Sequence, residues 1–107
     1  MVLAFKTRDL RSLCESEAVS KRLFGTAIAS DFNTRLNELR AAANVKELIV
    51  GSPRMLSDSA RGLFEISFRK RFHITFEANH TNNPLTQDGK IDWDRVSRIQ
   101  ILCAEEK

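Results

Sequence analysis

Residues 61–79 read RGLFEISFRKRFHITFEAN, and their alternation limits the fold more than any other stretch. Phe64, Ile66 and Phe68 alternate with Glu65, Ser67 and Arg69, and Phe72, Ile74 and Phe76 with His73, Thr75 and Glu77. Two period-two runs joined by Arg69, Lys70 and Arg71 predict an antiparallel hairpin with one apolar face. Apolar-to-apolar pairing puts Ile66 opposite Ile74 and Phe68 opposite Phe72, leaving the odd-numbered corner Arg69 to Arg71. A slip of one residue would turn every phenylalanine to water, so the register is set. Ser67 then lies across from His73 on the polar face.

The rest of the chain supplies the partners of this hairpin. Val2 to Lys6 reads as a first strand, and Thr7 as the N-cap of a short helix that turns Leu10, Leu13 and Cys14 inward. A longer helical region runs from Ser16 or Ser20 to about Ala43. Leu23, Phe24, Ala27, Ile28, Phe32, Leu36 and Leu39 form its packing stripe, Gly25 is a point of division, and Asn44 is a C-terminal stop. Val45 to Ser59 predicts a short turn or strand and then a loop. After the hairpin come a polar loop, HTNNPLTQDGK, one helical turn at IDWDRV that packs Trp93 on the body, and a last strand over about Arg98 to Ala104. His80 reads as a solvated loop residue, and Cys103, alternating with Ile99 and Ile101, as a buried one. The sum is one α+β domain over residues 1–107, a mainly antiparallel sheet packed against N-terminal helices.

Charge separates the function classes. The net charge is +3, and residues 53–73 hold five cations against two anions, so the other 86 residues sum to zero. A concentrated positive field suits a phosphate-facing surface, and equally an edge hairpin kept soluble by its charge. The longest unbroken apolar run, Met1 to Phe5, is far short of the ~20 residues of a membrane span. With no secretion leader either, the chain is expected to be soluble and cytoplasmic. Cys14 and Cys103 lack the spacing of a metal or redox pair, so no metal and no cofactor are expected.

Four strings, VLAFKTRDLRSLCES, RLNELRAAANVKEL, RGLFEISFRKRFHITFE and DGKIDWDRVSRIQIL, resemble in order and spacing the RelE/HigB-type toxins of bacterial toxin–antitoxin pairs, members of the RelE/ParE superfamily. The resemblance covers nearly the whole chain. It implies a plasmid-maintenance or killer toxin that cuts mRNA in the ribosomal A site without a metal. Its implied partners are ribosome, mRNA and a cognate helix-turn-helix antitoxin from a neighbouring gene, with no membrane. The implied chemistry is attack of a ribose 2′-OH on the adjacent phosphate, which needs a base, a cation for the phosphorane and an acid for the leaving oxygen.

The positions that match the family's active residues differ in identity. Arg54 and Ser57 stand where relatives have a histidine and a lysine ahead of the hairpin. His73 stands where they have an arginine, and Glu105, Glu106 and Lys107 where a tyrosine-histidine pair closes the last strand. One reading redistributes the chemistry. Arg54 binds phosphate, His73 transfers protons, Glu105 or Glu106 is the second proton-transfer group, and Arg61, Arg69, Lys70 and Arg71 bind RNA. Imidazole suits such work because its reference pKa of ~6.5 lets it act in either direction. The other reading is a RelE-like module that binds antitoxin or RNA without cleavage.

Overall fold

The structure, a computed structural model, describes residues 1–57, 59 and 62–106. Strand β1 (Val2–Phe5) ends at Thr7, whose hydroxyl accepts from the Leu10 amide at 3.1 Å and starts helix α1 (Arg8–Glu15). This is the expected N-cap, satisfying one of the first-turn donors that a helix leaves unpaired. Ser16 caps helix α2 (Glu17–Phe24) in the same way. Gly25, at φ 83° and ψ 164°, ends α2 in a conformation that L side chains rarely adopt, and helix α3 (Thr26–Ala41) leaves at a new angle. Asn44, expected to stop this helix, instead caps a single 3₁₀ turn at Val45–Glu47.

Ala29, Phe32, Leu36 and Leu39 make one fully buried stripe along α3, the three-to-four spacing of a core-facing helix. Leu23, expected in that stripe, is 63% exposed. The division at Gly25 sets α2 and α3 on separate axes, so one periodicity does not carry across it.

Among the described residues the sheet has five strands in the order β1-β5-β4-β3-β2, with β2 Arg54–Ser57, β3 Leu63–Arg69, β4 Phe72–Ala78 and β5 Arg98–Glu106. Of these pairs only β1 and β5 run parallel, so the α+β class with a mainly antiparallel sheet holds. Strand β2 occupies part of the segment expected to be a loop. It is short and lies at the sheet edge, so no alternation announces it. The hairpin register is as expected at Ile66↔Ile74 and Ser67↔His73. The corner differs from the expected three residues with Phe68 opposite Phe72: Arg69 pairs with Phe72 across Lys70 and Arg71 alone, because an irregularity between Ser67 and Arg69 absorbs the odd residue.

Ile66, Phe68, Ile74, Phe76, Ile99 and Ile101 form the covered face of the sheet. Phe24 and Phe32 from the helices meet Phe68 and Phe72 there, with ring centroids 5.0–5.7 Å apart. This spacing favours tilted and edge-on aromatic contacts. Cys14 lies in the same core. Burial pushes its thiol up to about 12, which leaves it inert as a nucleophile.

A second irregularity lies between β4 and β5. Thr75 pairs with Cys103 but Phe76 with Ile101, so Leu102 is an extra residue. Past it the parity of β5 reverses. Cys103 therefore leaves the face of Ile99 and Ile101, contrary to the expected alternation, and is only half-buried.

The segment 79–97 packs on the sheet beside Phe64 and Phe76 and meets the turn that follows α3, where the Val45 amide donates to the Val96 carbonyl at 3.2 Å. Trp93, in a 3₁₀ turn at Trp93–Arg95, packs its ring 5.1 Å from Phe64 and 6.4 Å from Phe76. His80 is not a solvated loop residue. Its Nε2 accepts from the amides of Ser97 at 3.1 Å and Arg98 at 3.3 Å, tying the loop to the start of β5. Burial, and then the charge of Arg98, lower its pKa from the ordinary 6.5. An acceptor at Nε2 has to be unprotonated, so folding favours neutral His80. The stability this gives is fully present above the unfolded pKa and is lost as pH falls through the lowered folded value. Thermal melts are expected to fall as pH drops below about 6.5, and His80→Gln to flatten that decline. Parallel slopes in the two proteins would remove His80 from the account.

Candidate functional site

The face of the sheet opposite the helices carries two rows of side chains. Arg54, Glu65, Thr75 and Cys103 are successive register partners across β2, β3, β4 and β5. Ser67, His73 and Glu105 are partners in the neighbouring row. Because side chains alternate along a strand, all of these leave the same face.

Their convergence forms an open cavity of about 430 Å³ lined by Ser52, Arg54, Glu65, Ser67, Lys70 and His73. Its rim is fixed by backbone contacts. The Gly51 carbonyl accepts from the Ser67 amide at 2.6 Å and from its hydroxyl at 3.0 Å, while Arg35 Nε of α3 donates to the Ser67 carbonyl at 3.1 Å. A Cβ at Gly51 would lie 2.7 Å from the Ser67 carbonyl oxygen, so only glycine lets the loop come this close. Ser52 follows with φ 48°, a left-handed conformation uncommon outside glycine. Local strain of this kind is held where surrounding contacts over-determine it, often at a working site.

Glu65 lies at the floor. Its side chain is only 6% exposed, and its Oε1 is 2.8 Å from Arg54 Nη2 and 3.8 Å from His73 Nδ1. A buried carboxylate needs such compensation, since an uncompensated buried charge is costly. Arg54 is 67% exposed and His73 22%, so both reach from the floor toward solvent. His73 Nδ1 is itself buried and, among the described residues, has no hydrogen-bond partner. Long contacts of this kind in a ligand-free site can shorten when a substrate closes it.

The residues named from the sequence separate into groups. Arg54, His73 and Lys70 meet at the cavity. Glu105 is the register partner of His73 on β5 and is exposed. The reversal at Leu102 is what brings it to this face. Arg69 points away to α3, where its Nη1 lies 3.1 Å from Asp31 Oδ2, and Arg71 is exposed at the corner. Arg61 lies outside the described residues.

Sequence reasoning missed Glu65 and Ser52. Parity held the signal for Glu65, which is two residues from Ser67 and so on the face of His73. Nothing in the sequence marked Ser52. Among the described residues no group of three or more His, Cys, Asp or Glu could hold a metal ion, and no helix is long and apolar enough to cross a membrane.

The arrangement places a guanidinium, an ammonium, an imidazole and a carboxylate around one open cleft. It can attract an anion of phosphate type and can take and return protons beside it. Comparison with protein-family models, with curated proteins and with solved structures finds no match.

Proposed function

We propose that this chain is the toxin of a type II toxin–antitoxin pair and a metal-independent endoribonuclease that cuts mRNA on the ribosome. The observation that carries the reading is the meeting of Arg54, Lys70 and His73 around the buried Glu65. The resemblance of the chain to RelE/HigB-type toxins supplies the substrate class.

In this reading the RNA backbone lies along the open face of the sheet. Arg54 and Lys70 hold the scissile phosphate and meet the charge that grows on it in the phosphorane. His73 and Glu105 are the proton-transfer pair. One takes the proton of the 2′ hydroxyl as that oxygen bonds to phosphorus. The other protonates the 5′ oxygen as its bond to phosphorus breaks. Arg61 and Arg71 guide the flanking strand by charge, while Arg69, paired with Asp31 of α3, does not take part. The cognate antitoxin, a helix-turn-helix protein from a neighbouring gene, neutralises the toxin, and the protein acts in the cytoplasm.

Inducing the chain in growing bacteria and mapping mRNA 5′ ends tests this. Growth arrest with new ends inside translated messages is expected. Unimpeded growth with no new ends would reject cleavage and leave a module that binds RNA or antitoxin without cutting.

A further inference from the structure

Glu65 is a charged group in this cleft without a task in the chemistry above, and its geometry assigns it one. A single oxygen, Oε1, faces both Arg54 Nη2 at 2.8 Å and His73 Nδ1 at 3.8 Å. The first is a close ion pair; the second is too long for a hydrogen bond, and Nδ1 is buried with no hydrogen-bond partner among the described residues. Both neighbours face the same oxygen, and in the free protein Arg54 is the nearer.

The two neighbours differ in freedom. Arg54 extends from the short edge strand β2 and is two-thirds exposed, so its guanidinium can turn to an incoming anion. His73 is fixed mid-strand between β3 and β5. Glu65 is buried at the floor, and a side-chain shift of about 1 Å brings its Oε1 within hydrogen-bonding distance of Nδ1.

We propose that Glu65 is a positioning residue for His73, and that Arg54 withholds it until a phosphodiester draws the guanidinium away. This rests on the reading that the cleft takes a phosphodiester. Once released, Oε1 accepts from Nδ1–H. That bond fixes the tautomer with Nε2 free for proton transfer, and the carboxylate stabilises the imidazolium that either direction of transfer passes through. Substrate binding and activation of the histidine become one event, and the resting site stays unpoised.

The test is an NMR titration of His73 in the full chain, which needs no turnover. Among the described residues the charged groups facing its ring are Glu65 and Arg54 from β3 and β2, Lys70 from the turn, and Glu105 from β5. Arg54→Ala is expected to raise the His73 pKa by about one unit, the scale set by a carboxylate at hydrogen-bonding distance. Part of any rise comes simply from removing a positive charge, so the same substitution is repeated in Glu65→Gln. There the rise is expected to shrink to half or less. Adding a dinucleotide whose 5′-side ribose lacks the 2′ hydroxyl should likewise raise the pKa more in the native chain than in Glu65→Gln.

Equal rises in both backgrounds would overturn the proposal, because Arg54 would then act on His73 by its charge alone. Thermal melts check that Glu65→Gln folds. Should it not, Glu65→Asp, which keeps the charge and draws the carboxylate back from Nδ1, takes its place, and equal rises there overturn the proposal in the same way. The outcomes separate from those of the ribonuclease reading. Coupling without RNA cleavage rejects the ribonuclease and keeps the Glu65–His73 link; cleavage without coupling does the reverse.

Discussion

His73→Ala is expected to lower RNA cleavage by ~10²–10⁴, the worth of a positioned proton-transfer group. The side chain leaves the open face between Ser67 and Glu105, while the adjacent Ile74 carries the core contact. Circular dichroism melts are therefore expected to show a folded variant, so the loss is chemical. His73→Arg separates two roles, because arginine puts at this position a cation that stays charged at any working pH and cannot transfer a proton. Cleavage as low as in the alanine variant identifies proton transfer. Cleavage at or above the native rate would make His73 an electrostatic group and move the base elsewhere. If both variants cut as well as the native chain, the site does not lie on this strand.

Gly62→Ala is expected to cost about 2–5 kcal/mol of folding stability, through two separate effects. The residue has φ +68°, where a Cβ strains the backbone by about 1–2 kcal/mol. The added carbon would also lie 2.4 Å from Trp93 Cζ2 and 2.8 Å from Ile91 Cγ2, so a packed aromatic has to move. Overpacking of this kind costs about 1–3 kcal/mol more. Gly89 is the control. It has φ +79° with nothing within 4 Å of where a Cβ would stand, so Gly89→Ala should show the backbone effect alone. In a chain of this size the difference should appear as a melting temperature lower by roughly 5–10 °C for Gly62→Ala than for Gly89→Ala. Equal losses would mean that Trp93 yields freely and does not pin the loop to the sheet.

The fates of Gly62 and His80 share a cause. Both lie where the segment 79–97 meets the sheet, and both are fixed by partners far away in sequence: Trp93 and Ile91 for one, the Ser97 and Arg98 amides for the other. A local reading finds a polar loop with a histidine in it. Only the returning chain turns that histidine into a neutral acceptor.

The site divides along the same line. Alternation fixes the hairpin register up to Ser67 and His73, because a one-residue slip would expose its phenylalanines together, but not the corner, where Arg69 takes the place expected for Phe68 opposite Phe72. Ser67 opposite His73 follows from it, and so, by parity, does Glu65 on their face. The caps at Thr7 and Ser16 and the break at Gly25 are equally local. A hydroxyl can accept only from an amide a few residues on, and a positive φ is a property of one residue. Burial of Glu65 and its choice of partner are not local. They depend on β2, four residues whose only reason to be a strand is the free edge of β3. The face of Glu105 is decided still further away. Counted straight from Ile99 and Ile101, it would point into the core. The extra residue at Leu102 turns it to the cleft, because one unpaired residue reverses the facing of every side chain beyond it, and the alternation of Ile99, Ile101 and Cys103 gives no sign of it.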